Sequence, residues 1–224
     1  AFNDNHFHYG YYMVATALVG MTDPAWLDQY GPMAKLVAKE YANWDRADTN
    51  FPLFRTFDIW EGHSWAGGTS GGGGENQESS SEAMNSWVGI FLMGNALNAD
   101  AMTAAGAMGY AMESTAVNEY WQDIYSTNFP ATYGKKMNGI LTAGGLAFAT
   151  YFDGDPAWVY GIQMVPQNHW NNYLVRNKAY AFIQFSNMWN DRIIWQPQWS
   201  NNVAYAAGNW VKYNGFIWSA NNAV

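Results

Sequence analysis

Two helix-length segments with apolar periodicity, Asn76 to about Leu97 and Asp100 to about Gln122, are separated only by Asn98-Ala99. A link that short forces antiparallel neighbours, so the chain predicts packed helices rather than a sheet-based fold. Two more helices precede this pair. Asn3-Asp4 reads as a start signal for a helix over His6 to Gly20, with Phe7, Tyr11, Val14 and Leu18 on one face. Thr22-Asp23-Pro24 starts the next, with proline in its first turn, and runs to about Trp44. A further helix is expected over Asn177 to Trp189. Phe51 to Gly68, with Pro52 and alternating aromatics, predicts an ordered loop that carries function. Gly139 to Phe152 is glycine-broken and apolar and predicts a short hairpin.

With 224 residues, of which 49% are hydrophobic, the chain can bury a sizeable core. Eighteen acidic against ten basic residues give a net charge of -8, which disfavours phosphate-rich partners and excludes nucleic acid. No apolar run is long enough to span a membrane, and none is expected to. The absence of cysteine excludes disulfides, thiolate metal sites and cysteine nucleophiles. Ala1 begins the sequence without a Met or a signal peptide, so the chain reads as an excised piece. Aromatic residues reach 18%, including 13 Trp and 15 Tyr, whereas charged residues are only 12%. Flat apolar rings with polar tips suit stacking on sugar rings. From Trp195 onward, aromatics such as Trp199, Tyr205, Trp210, Tyr213, Phe216 and Trp218 alternate with Asn and Gly in a β-like pattern. This tail reads as a separate small module, dividing the chain into residues 1–193 and 194–224.

Chemistry concentrates at acidic positions. If a helix begins near Asn76, Glu78 and Glu82 share one face four residues apart, an unfavourable pairing unless it builds a carboxylate site. The positive end of the helix dipole then favours their ionised forms. The alternative is a capping arrangement with exposed glutamates. Asp4 is either an N-cap or a general acid, its proton affinity raised by an aromatic wall. His6 and His8, with His63 near Asp58 and Glu61, suggest a metal site, but residues two apart on a helix point in different directions, so no metal is expected. Gly71 to Gly74 lacks the Lys-Ser/Thr of a phosphate loop and reads as a mobile or closely approaching segment. Ser79, Ser80 and Ser81 sit in no nucleophile elbow.

Asn3 to Tyr11, Phe57-Asp58-Ile59-Trp60-Glu61-Gly62-His63-Ser64-Trp65-Ala66-Gly67, Asn76-Gln77-Glu78-Ser79-Ser80-Ser81-Glu82-Ala83 and Val159-Tyr160-Gly161-Ile162-Gln163-Met164-Val165-Pro166 together resemble glycoside hydrolase family 81, in the family's order. The resemblance implies endo-hydrolysis of β-1,3-glucan of the laminarin type by an inverting mechanism, without a cofactor, in a secreted, extracellular protein. It implies a mainly α fold, an incomplete (α/α)6 toroid followed by a small β-rich segment. The β-sandwich and the earlier helices of the toroid are then absent, and a partial ring leaves apolar helix faces uncovered. Asp4 matches the general acid and Glu78 the general base, with Glu82 as the second glutamate of the motif and an alternative base. An inverting pair needs a separation of about 6.5–9.5 Å to admit a water. His8, Tyr9, Tyr11, His63 and Trp65 resemble cleft-lining residues that grip the glucan. The tail around Tyr205 to Trp218 is similar to carbohydrate-binding modules of families 5 and 12, with Trp210 and Trp218 as binding aromatics. Alternatives are a non-catalytic glycan-binding protein and another (α/α)6 glycan-cleaving enzyme such as a lyase or cellulase.

Overall fold

The computed structural model describes residues 3–68 and 75–220. The glycine run Gly71 to Gly74 and the end of the C-terminal segment lie outside the described residues. Four long helices, α1 (Asn5–Thr22), α2 (Pro24–Ala42), α3 (Ser80–Ala96) and α4 (Asp100–Ala116), form the body of the molecule. Helix α1 packs on both α2 and α3, and α3 on α4. The links are as short as the sequence predicts. Asp23 turns the chain between α1 and α2, its side chain accepting the Trp26 N–H at 3.0 Å just before Pro24. Between these layers lie Met13, Ala17, Tyr41, Trp87, Ile90, Met93 and Met102, all buried.

Helix α1 is rotated from its expected face. Its buried stripe is His6, Phe7, Gly10, Met13, Ala17 and Gly20, whereas Tyr11 and Leu18 are exposed. Close approach is the physical reason. A Cβ on Gly10 would stand 2.8 Å from Ser86 Cα, and one on Gly89 only 2.6 Å from Met13 Cβ, so α1 and α3 touch through small residues. Tyr11, Tyr12 and Leu18 turn outward.

Helix α3 begins at Ser80 rather than Asn76. Asn76–Gln77 instead form β3, paired antiparallel with β4 (Ile140–Thr142), which continues into β5 (Gly145–Ala147) as the expected hairpin. Glu78 therefore sits in the joint between strand and helix. In the 51–68 loop, β1 (Phe57–Asp58) pairs with β2 (His63–Ser64). Helix α4 continues as a π turn over Val117–Trp121, ending close to its expected limit.

Helix α5 (Pro156–Gly161) and the 3-10 turns over Ile162–Met164 and His169–Val175 are absent from the sequence reading, being too short to show a period. The start of α5 was nonetheless written in Asp155-Pro156, where Asp155 accepts the Ala157 N–H at 2.8 Å. Helix α6 (Lys178–Trp195) extends past its expected end and exposes Phe182, Phe185 and Ile194, while α1 and α2 expose Tyr12, Met33 and Leu36. A hairpin of β6 (Trp210–Tyr213) and β7 (Phe216–Ser219) closes the described chain. The fold is mainly α with a small β-rich C-terminal segment.

Candidate active site

Asp4 occupies the N-cap position of α1 without capping it. Its backbone is left-handed, with φ 59°, and its side chain makes no cap hydrogen bond. That conformation is uncommon outside glycine and costs of order 1–3 kcal/mol, so the surroundings must impose it. Part of the imposition is the Asp4 N–H donated to Ala66 O at 2.9 Å, which ties α1 to the chain after β2. The carboxylate is half-buried and accepts from Asn3 Nδ2 at 2.8 Å. Burial raises its pKa, His8 opposes that, the Glu82 charge adds to it, and the Asn3 bond lowers it, for a net rise.

Glu78 follows β3 directly. Its Oε1 accepts the Tyr151 N–H at 2.9 Å, and its carbonyl accepts Gln163 Nε2 at 2.7 Å. Its pKa is also raised, first by burial and then by the charges of Asp4 and Glu82, against the Tyr151 bond. The expectation that Glu78 lies in the first turn of a helix, under its dipole, is corrected by the start of α3 at Ser80. Glu78 precedes the helix, and burial with the neighbouring carboxylates sets the direction of its shift. Glu82 lies in the first turn of α3 and accepts the Tyr11 hydroxyl at 2.8 Å. Tyr11 stays a donor, because burial and Glu82 push its hydroxyl pKa upward.

The capping alternative for the glutamates is not what the structure contains. Ser79 is the N-cap of α3, three residues before Glu82, the spacing of a capping box, yet no side-chain cap forms there. Instead Ser79 and Ser81 hydroxyls donate to Ile162 O at 3.1 and 3.2 Å, and Ser80 donates both its N–H and its hydroxyl to Gln163 Oε1. Gln163 is fully buried and also donates to Gly139 O. It thus fixes the start of α3, the Glu78 backbone and the β4–β5 hairpin at one point. In the sequence it lies inside the Val159 to Pro166 motif with no role of its own. Its only signal was an amide in an otherwise apolar stretch.

His8 is exposed beside Asp4 and Tyr11 reaches Glu82, so these two flank the carboxylates, whereas Tyr9, expected in the cleft, packs against Tyr41 of α2 with ring centroids 6.5 Å apart, on the face of α1 turned to α2. The expectation for His63 and Trp65 needs correction. His63 is fully buried, its Nδ1 bonded to Ser64 O at 2.9 Å and its ring edge-on to Trp65 and Trp121. Burial lowers its pKa to about 4, so it is neutral. Trp65 is also buried, its indole directed to Asp58 Oδ2 at 3.4 Å. Both brace the loop from behind because the β1–β2 turn folds them inward. His6 is likewise buried and neutral, its pKa lowered to about 3 by burial, and bonds Gln77 at 3.0 Å while His8 faces outward. The H-x-H pair thus diverges, as helical geometry requires. Among the described residues no three His, Asp or Glu side chains gather as a metal site.

Two aromatic groups frame the surface. Tyr151 and Phe152, both exposed, adjoin the backbone that holds Glu78, and Phe152 meets Trp158 edge-on at 5.5 Å. In the C-terminal hairpin, Val211 pairs with Trp218, and Trp210 pairs with Ser219. Alternation therefore puts Trp210 and Trp218 on opposite faces of the hairpin. The Trp210 ring lies 5.5 Å from the Arg192 guanidinium at the end of α6. Trp218 shares its face with Tyr213, which Trp199 meets edge-on at 5.2 Å.

Residues 1–214 match the family model described as "Glycosyl hydrolase family 81 C-terminal domain". Over 206 residues the chain is 37% identical to a glucan endo-1,3-beta-D-glucosidase of Acetivibrio thermocellus, covering 91% of this chain and 27% of that protein. It is 31% identical over 178 residues to glucan endo-1,3-beta-D-glucosidase 2 of Saccharomyces cerevisiae, covering 74% of this chain and 23% of the relative. A solved mutant of a glycoside hydrolase family 81 protein from Clostridium thermocellum superimposes with a TM-score of 0.80 at 38% identity, over 88% of this chain and 28% of that one. The chain thus spans about a quarter of the length of these relatives.

Proposed function

The chain belongs to glycoside hydrolase family 81, and from that premise we propose that it carries the acid and base for endo-hydrolysis of β-1,3-glucan. Asp4 protonates the departing glycosidic oxygen while Glu78 takes a proton from a water attacking the anomeric carbon on the opposite face. Water adds across the broken C–O bond with inversion, leaving one new reducing end. The Glu82 charge raises the proton affinity of Glu78, and Tyr11 holds Glu82 in place. The exposed rings of Tyr151 and Phe152 offer stacking surface beside Glu78, as His8 and Tyr11 do on the α1 side of the carboxylates.

One observation carries the reading. Asp4 and Glu78 come from distant parts of the chain, yet each is raised by burial and by another carboxylate of the same group. Structural carboxylates are usually paired with cations, whereas titratable groups that raise one another in a cleft are the pattern of acid–base chemistry. The relatives' names place β-1,3-glucan among their substrates, and for this chain the cell-wall or extracellular form of that polymer fits best.

The C-terminal segment from residue 194 is proposed as an accessory glycan-binding surface, with Trp199, Tyr213 and Trp218 as its aromatic face. Both proposals meet in one assay, in which reducing-end release and pull-down are followed on laminarin, chitin and cellulose. Release is expected from laminarin alone. Trp218→Ala is expected to weaken pull-down several-fold, since an aromatic stack on a ring is worth about 1 kcal/mol or more, with little change in release from soluble laminarin. Pull-down of laminarin without new ends would instead make the protein a glycan binder, and unchanged pull-down by the variant would remove the accessory surface.

A further inference from the structure

We propose that Glu113, which no step of the reaction uses, is the positioning residue that sets the separation between Asp4 and Glu78. The role rests on the acid and base assignment above. Glu113 lies in α4 and is fully buried. Its Oε1 accepts the Ser64 N–H at 3.0 Å, its Oε2 accepts the Ser64 hydroxyl at 2.9 Å and the Trp87 indole N–H at 2.5 Å, and the Gln77 side chain also bonds to it. None of the ion pairs among the described residues includes it.

Each donor belongs to a segment that carries part of the site. Ser64 lies two residues before Ala66, whose carbonyl anchors the Asp4 N–H. Gln77 immediately precedes Glu78, and its amide also bonds His6 in the first turn of the helix that Asp4 opens. Trp87 is on α3, the helix that carries Glu82. One carboxylate in a fourth element therefore holds the acid's anchor, the base's strand and the glutamate helix together.

Folding alone is a poor reason for this group. Burial pushes its pKa up to about 7 against the pull of its donors, so its ionised form is disfavoured at this position. A buried carboxylate without a cation is commonly outperformed in stability by an apolar side chain of similar volume. What an apolar side chain could not do is align four donors from three segments. Catalytic groups must be held within about 0.5 Å of their productive geometry, and a shift of about 1 Å costs about 100-fold in rate.

Glu113→Gln preserves volume but replaces one acceptor oxygen with an NH2 that faces either the Ser64 N–H or the Trp87 indole N–H, neither of which can accept from it. In the full-length protein carrying this chain, kcat on laminarin is expected to fall about 10- to 100-fold while KM changes less than about twofold. Glu113→Asp, which keeps four acceptor lone pairs, is expected to recover part of that loss. A role confined to folding predicts a lower melting temperature with wild-type kcat per folded molecule, and that result would overturn the proposal. If Glu113→Gln does not fold, Ser64→Ala withdraws the hydroxyl donor alone and is expected to lower kcat about tenfold at unchanged KM; wild-type kcat there counts against the proposal equally. If the unaltered protein releases no ends from laminarin, the functional reading has failed. Crystal structures of the two forms then decide the positioning role, which requires the Asp4-to-Glu78 gap to change by about 0.5 Å or more in the variant.

Discussion

Asp4→Asn and Glu78→Gln are each expected to lower kcat on laminarin by at least about 100-fold while glucan pull-down persists. Both changes keep shape and hydrogen-bonding size, so they remove proton transfer rather than packing. An amide at position 4 has no acidic proton for the leaving oxygen, and an amide at position 78 cannot take one from water. Glu82→Gln discriminates the two glutamates. With Glu78 as base it should leave clearly more activity than Glu78→Gln, because Glu82 then acts only through its charge on Glu78 and its bond to Tyr11, and takes no proton itself. Undiminished turnover in the Asp4 or Glu78 variant removes that residue from the mechanism.

Gly109→Ala is expected to destabilise the fold by about 2 kcal/mol, although alanine is the better helix former by about 1 kcal/mol. A Cβ at Gly109 would stand 2.1 Å from Trp87 Cδ2 and 2.4 Å from two further ring atoms. The ring has no free direction. It is packed edge-on against Phe57 at 5.2 Å and bonded through its indole N–H to Glu113 one turn further along α4. Overpacking a site that cannot relax costs about 3 kcal/mol, which outweighs the gain in propensity. Urea unfolding reads the difference as a lower midpoint at unchanged slope. A midpoint at or above wild type would mean that Trp87 moves freely, and that the Glu113 network is looser than its geometry indicates.

The helices were legible because their punctuation is local. Asp23-Pro24 and the Asn98-Ala99 link state a start and a turn without reference to the rest of the chain. Faces were less legible, since α1 buries Gly10, Ala17 and Gly20 where hydrophobicity pointed to Tyr11, Val14 and Leu18. A search for large apolar residues cannot register a contact made by the absence of a side chain. The start of α3 was misplaced for a similar reason. Asn76 and Gln77 suit a helix locally, but a strand more than sixty positions later claims their backbone.

The carboxylates proposed for the reaction stand in recognisable local motifs, because their spacing and neighbours survive in the linear order. Their supports do not. Ser64, Gln77, Gln163 and Glu113 acquire meaning only through bonds that join separate elements, and each is an ordinary polar residue until burial makes its partners obligatory. Burial also overturns the sugar contact that the family resemblance implies for His63 and Trp65. Pairing between β1 and β2 turns them into the interior instead.

The configuration of the first-formed reducing ends, followed by proton NMR during laminarin hydrolysis, bears most directly on an acid and a base acting across a water. Inversion at a β-linked glucose predicts that the α-anomer appears first and mutarotates to the equilibrium mixture afterwards. Initial appearance of the β-anomer would contradict the account, because retention requires a carboxylate to bond the sugar directly from a gap of about 5 Å.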